Sequence, residues 1–153
     1  MKKFIIIAAT AFVSLSSFAG TGPFAFDPVT GKVLEAFRSN FSEAKNVEWK
    51  SLDDAGLFQA TFLYKNTELK AYYNSDGEMV ATARYIDLDN LPIMVRKTIS
   101  ERYPEHVMKN AIEQISGDAT TYYVTLHGVK TSMIVASTPA GSLSVFKKVK
   151  ARH

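Results

Sequence analysis

Cysteine is absent from the 153 residues. That excludes disulfides, a thiol nucleophile and the lipid-bearing cysteine of bacterial lipoproteins. Histidine is scarce, and none of His106, His127 and His153 lies three or four residues from another ligand-type side chain. A metal site on a helix face is therefore not expected. Neither a Gly-x-Ser-x-Gly elbow nor a Ser-x-x-Lys element accompanies the many serines, so nucleophilic hydrolysis has no recognisable machinery. Charge is also nearly balanced. The formal +3 includes Lys2 and Lys3 of a segment expected to be removed, which leaves sixteen basic residues against fifteen acidic ones. A nucleic-acid binder needs a basic stripe. The one candidate, Lys147-Lys148-Val149-Lys150-Ala151-Arg152, reads as charge protecting a final edge strand.

Long apolar runs are missing as well, apart from the N-terminus. Met1-Lys2-Lys3 followed by the apolar stretch Phe4 to Leu15, then Ser17-Phe18-Ala19, has the form of a signal peptide over residues 1–19. The stretch is short for a membrane span; an uncleaved anchor is the alternative. The expected product, residues 20–153, is periplasmic or secreted, with no stable membrane insertion after cleavage.

What is present is β-structure. The composition is 46% hydrophobic and 22% charged, with ten Phe and seven Tyr. From Leu57 to Ile86 the chain alternates as three strands joined at Lys65-Asn66-Thr67 and Ser75-Asp76-Gly77. Alternation puts Phe58, Ala60, Phe62 and Tyr64 on one face with Leu69, Ala71 and Tyr73, and with Met79, Ala81 and Ala83. Gln59, Thr61, Lys70, Tyr72, Thr82 and Arg84 take the other, polar face. Ahead of this meander, Asp27-Pro28 reads as a helix start for the stripe Val29, Val33, Phe37 and Phe41. A first strand over Asn46 to Lys50, with Val47 and Trp49 inward, and a polar turn over Ser51 to Gly56 follow.

Leu91-Pro92 opens a second helix with the stripe Val95, Ile99 and Tyr103, stopped at Pro104. Strands are expected over Ala111 to Ile115, Thr120 to His127, Lys130 to Ser137 and Ser142 to Val149. The halves match at nearly constant spacing. Val33, Phe37 and Phe41 lie 62 residues before Val95, Ile99 and Tyr103, and Phe58, Ala60 and Phe62 lie 64 before Tyr122, Val124 and Leu126. Gly77 likewise precedes Gly141 by 64. The implied architecture is α+β, a tandem duplication of a helix plus four-stranded antiparallel sheet over residues 27–88 and 89–150, with both helices on one face of a curved sheet.

Several of these landmarks occur together elsewhere. Phe37-x-x-x-Phe41 with Ala44, Val47-x-Trp49, an aromatic hairpin ending in Asp76-Gly77, Leu91-Pro92 and Tyr103-Pro104 resemble the PepSY-like family of exported Bacteroidetes proteins, also described as β-lactamase-inhibitor-like. The resemblance spans about Val29 to Val149. It departs at Ser42, where the first repeat would often carry the proline kept at Pro104, and in lacking the cysteines of the secreted inhibitor. It implies a tandem-repeat fold and inhibition or protein binding, with no inhibitory residue to transfer.

The remaining polar candidates have structural explanations. His106 and His127 fit surface turns and strand ends. Asp53-Asp54 and Asp87-Leu88-Asp89 lack calcium-loop spacing and fit turns and caps. Trp49 fits the core better than an exposed anchor. A polar, tyrosine-bearing sheet face is left: Lys50, Gln59, Thr61, Tyr72 and Arg84 from the first half, Tyr123 and Thr125 from the second. Leu63, Val80, Ile134 and Phe146 fall in the same phase, so a partner or the other half would cover part of it. The function expected is a non-enzymatic binding module that uses this face to hold a protein or peptide in the cell envelope, without cofactor or nucleic acid. The alternative is a carrier holding a small apolar or aromatic ligand between helices and sheet.

Overall fold

Two ten-residue helices are too short to persist in water alone, so each depends on what it buries. The computed structural model describes residues 29–129 and 131–150, with side chains to 148. Helix α1 (Gly31–Asn40) presses Val33 and Phe37 onto the sheet, and α2 (Ile93–Arg102) does the same with Val95 and Ile99. Between and after them run β1 (Lys45–Leu52), β2 (Leu57–Tyr64), β3 (Thr67–Asn74), β4 (Met79–Ile86), β5 (Val107–Ser116), β6 (Ala119–His127), β7 (Thr131–Ser137) and β8 (Leu143–Lys150). The eight strands form one antiparallel sheet in the order β1 to β8. Five residue pairs, from Thr82 opposite Ile115 to Ile86 opposite Ala111, join the halves across β4 and β5.

Register shows that both helices share a face. Directly paired residues point the same way, and one row runs Ala71, Thr82, Ile115, Thr120 through β3, β4, β5 and β6. Ala71 packs under α1 with Phe62 and Tyr73, while Tyr122, Val124 and Leu126, in phase with Thr120, pack under α2. Phe62 and Leu126, at 1% and 0% exposure, lie at the bottom of these two cores.

Each half closes in the same way. The last turn of α1 ends when the Phe41 N–H donates to the Phe37 carbonyl at 2.8 Å; in α2 the Tyr103 N–H donates to Ile99 at the same distance. The turn from β3 to β4 reaches Gly77 (φ 85°), and the turn from β7 to β8 reaches Gly141 (φ 88°). Both glycines lie directly against a helix backbone. A Cβ on Gly77 would be 2.8 Å from the Lys32 carbonyl oxygen, and one on Gly141 would be 2.9 Å from that of Met94. Lys32 and Met94 are themselves 62 residues apart.

Local chemistry moves some boundaries. Helix α1 starts after Thr30, whose hydroxyl accepts the Val33 N–H at 3.4 Å, rather than at the Asp27-Pro28 signal, which lies outside the described residues along with the signal segment and His153. Strand β1 extends to Leu52, so the polar turn contracts to the short 3-10 segment Asp53–Ala55. A bulge between Lys45 and Glu48, with Asn46 at positive φ, bends this edge strand and leaves Val47 exposed; Trp49 alone packs inward.

Strand β4 carries the main correction. Tyr73 pairs with Met79 but Tyr72 pairs with Ala81, so Val80 is an extra residue. A one-residue insertion inverts the alternation that follows it. Ala81 and Ala83 therefore point away from the helices, beside Tyr72 and Lys70, and Thr82 and Arg84 point toward the helix side. The face without helices is consequently far from bare. Leu57, Tyr72, Ala81, Ala83, Ile112 and Tyr123 form a second buried cluster there, joined by Val80, Ile134 and Phe146.

Candidate binding face

Pairing defines the rows of the helix-free face. Lys50, Gln59, Tyr72 and Ala81 lie side by side across β1 to β4. The next row is Glu48, Thr61, Lys70, Ala83, Gln114 and Thr121. Further along, Tyr85, Ile112, Tyr123 and Ala136 align, and Asn110, Thr125, Ile134 and Lys147 follow. Six of the seven sequence-derived residues thus share one face. Arg84 does not: the bulge at Val80 turns it to the opposite side.

Depth separates the six. Lys50 is exposed and Thr61 and Thr125 are half-buried, whereas Gln59, Tyr72 and Tyr123 are closed off, with Tyr72 at 1% exposure. The small side chains opposite explain this. Tyr72 faces Ala81 and Tyr123 faces Ala136, so each ring can lie down on the sheet. Phe146 closes on Tyr123 edge-on, with centroids 5.2 Å apart. The tyrosines form a rigid floor rather than projecting contacts, and Lys50, Thr61, Lys70 and Thr125 stand at its margin.

Burial of polar groups leaves electrostatic marks. The Gln59 amide donates to Thr61 Oγ1 at 3.1 Å, but its Oε1 is buried with no partner. Desolvation lowers the Lys70 pKa, against the raising effect of Glu68, and nearby Lys50 lowers it further. Burial is also the main reason that Tyr72, Tyr73, Tyr85, Tyr122 and Tyr123 all have raised pKa values. Their folded forms hold the phenolic proton beyond the ordinary tyrosine value of about 10. Stability contributed by these groups is therefore complete below about pH 10 and is lost as pH rises through the raised values. Spectrophotometric titration should show tyrosinate appearing later in the folded chain than in urea, with urea midpoints falling above about pH 10. Tyr72→Phe should lessen that fall; identical folded and unfolded titrations would contradict this burial.

His106 closes the expected turn, its N–H donating to the Tyr103 carbonyl at 3.0 Å, but its ring sits deeper than a surface position. It is half-buried against the Tyr103 ring, 5.7 Å between centroids, and both ring nitrogens are buried without a partner. No signal for this exists in the local sequence, because the cover comes from Gly128 at the distant turn between β6 and β7. Among the described residues no group of three or more His, Asp or Glu could hold a metal ion. Asp53 instead accepts from the Ser51 hydroxyl, and Asp89 lies 3.8 Å from Arg96.

Comparison with solved structures places this geometry. A BLIP-like protein from Bacteroides fragilis aligns with TM-score 0.68 at 15% identity, over 82% of this chain and 89% of that one. The chain shares its fold. A DUF2874 family protein from Bacteroides ovatus gives TM-score 0.69 at 21% identity, over 81% of this chain and 89% of that one. A Bacteroides eggerthii protein with a provisional periplasmic assignment gives 0.69 at 16% identity, over 80% and 89%. The sequence matches no family model and no curated protein. The BLIP-like fold accounts for the α+β class and the single antiparallel sheet. No helix among the described residues is long and apolar enough to cross a membrane.

Proposed function

We propose that the chain is an exported, non-enzymatic binding module that holds a protein or peptide of the cell envelope against its helix-free sheet face. The observation carrying this reading is the construction of that face. Tyr72 and Tyr123 form a stiff apolar floor, and Lys50, Thr61 and Thr125 offer hydrogen bonds and positive charge around it. Recognition surfaces gain from a floor that loses little entropy on contact. Modulation of an envelope enzyme, as in an inhibitor, is the specific form suggested by the BLIP-like neighbour and the PepSY-like resemblance.

The carrier alternative has less support. The spaces between helices and sheet are filled by Val33, Phe37 and Phe62 in one half and Val95, Ile99 and Leu126 in the other, all buried.

The same reading includes origin by duplication of one helix-and-sheet unit. It is supported by the nearly constant spacing of core residues, 62 in the helices and 64 in the strands, the equal helix ends and the two turn glycines seated on equivalent helix residues. The bulge between Lys45 and Glu48 likewise has a counterpart between Met108 and Asn110, at the same place in the first strand of each half.

The test is capture from an envelope extract, comparing the chain with Lys50→Glu/Thr125→Arg. A control variant, Lys97→Glu, lies on the exposed side of α2. Loss of a captured species with the double variant and its retention with the control is the expected result. Equal capture by both would remove this face from consideration.

A further inference from the structure

The β4 bulge sends Arg84 to the strip of sheet that neither helix covers, and what it meets there has the form of a recognition site. Arg84 Nε donates to Glu113 Oε2 at 2.8 Å, and the Tyr122 hydroxyl donates to Glu113 Oε1 at 3.3 Å. The Glu113 side chain is 14% exposed against 48% for that of Arg84. The carboxylate is therefore the fixed member, clamped at both oxygens, and it holds the guanidinium through one edge. Neither Nη makes a hydrogen bond among the described residues. An arginine oriented through Nε keeps its Nη atoms for a planar oxyanion.

Space and further donors adjoin it. Arg84 and Glu113 line a cavity of about 530 Å³ together with Lys109, Asn110, Asn90 and Asp87. They also line a second cavity of about 290 Å³ with Thr82 and Ile115. The larger volume is within the range of small-ligand sites. Structural ion pairing alone would account for Arg84 and Glu113, but not for the neighbouring cavity with a second cation and two amides.

We propose that this cleft beside the β4–β5 seam is a carboxylate-binding site, with Arg84 as the primary ligand group, Lys109 as a supporting cation and Glu113 as a positioning residue. The carboxylate belongs to a free amino acid, with Asp87 opposite its ammonium, or to a peptide C-terminus. Its primary group, Arg84, points to the helix side, although Asn110 belongs to a row of the other face; none of its residues is varied in the capture test above, so the two proposals fail separately.

Titration of the 15N-labelled chain followed by NMR tests it, with three probes: acetyl-Ala-Ala bearing a free C-terminus, its C-terminal amide, and L-alanine. Saturable shifts at Arg84 Nε–H and at the Lys109 and Asn110 amides are expected with a carboxylate probe and not with the amide. Saturation by the dipeptide identifies a peptide terminus; saturation by alanine alone identifies a free amino acid. Arg84→Lys, which keeps the charge but loses the planar fork, should weaken binding at least about tenfold. Glu113→Gln should weaken it less while broadening the Arg84 Nε–H signal. Equal shifts with the amide, no saturation by either carboxylate, or full affinity in Arg84→Lys would overturn the site. The wild-type shifts decide the matter even if a variant folds poorly.

Discussion

Replacing Gly141 with alanine is expected to cost about 2–4 kcal/mol, among the larger effects of a single methyl group. Two penalties coincide. The residue sits at φ 88°, where a side chain is strained. Its new Cβ would also be 2.9 Å from the Met94 carbonyl oxygen and 2.8 Å from Thr98 Oγ1. The turn must then lift from α2, which contributes Val95 and Ile99 to the core beneath. Gly77→Ala should behave alike through Lys32 of α1. Gly117→Ala separates the two penalties: its φ is also positive, at 56°, but nothing lies within 4 Å of the added carbon. About 1 kcal/mol is expected there. Urea denaturation of the three variants measures the difference; equal losses would mean that helix contact contributes nothing.

Phe37→Ala should cost about 3–5 kcal/mol. Four aromatic side chains meet this ring: Phe62 at 4.9 Å, Trp49 at 5.2 Å, Phe41 at 5.6 Å and Tyr73 at 6.3 Å between centroids. Three of the contacts are edge-on, the arrangement that adds to simple burial. The ring joins α1 to β1, β2 and β3, so its loss should loosen the whole first half. Trp49 reports this directly: its fluorescence should shift to the red in the variant before denaturant is added. Phe37→Leu should fall between, near 1–2 kcal/mol, since most of the volume is kept. A loss under about 1 kcal/mol in Phe37→Ala would mean that α1 is not held by this cluster.

The elements were legible because their signals are local. Leu91-Pro92 marks the start of α2, Pro104 its end, and Asp76-Gly77 and Gly141 the tight turns. Both core helices and the inward side of β2 and β3 follow from spacing alone. The phase of β4 was not legible. Val80 suits either face, and only the pairing with β3 shows that it is an extra residue. That one insertion carried Arg84 from the presumed binding face to the cleft, and Ala81 and Ala83 into a second cluster. The cluster itself was half visible, since Val80, Ile134 and Phe146 stood out as apolar residues in a polar phase. Missing from the sequence was the depth of Tyr72 and Tyr123, which depends on alanines on neighbouring strands.

The two halves are held together by that second cluster and by the β4–β5 seam, so they should unfold as one body. Native-state hydrogen exchange at the backbone amides of Ala60 and Val124, one central to each half and both under a helix, tests this most directly. Equal opening free energies, falling by the same amount in Ile112→Ala at the seam, are the predicted result. A first half that opens well before the second, or an Ile112→Ala effect confined to the second half, would contradict it.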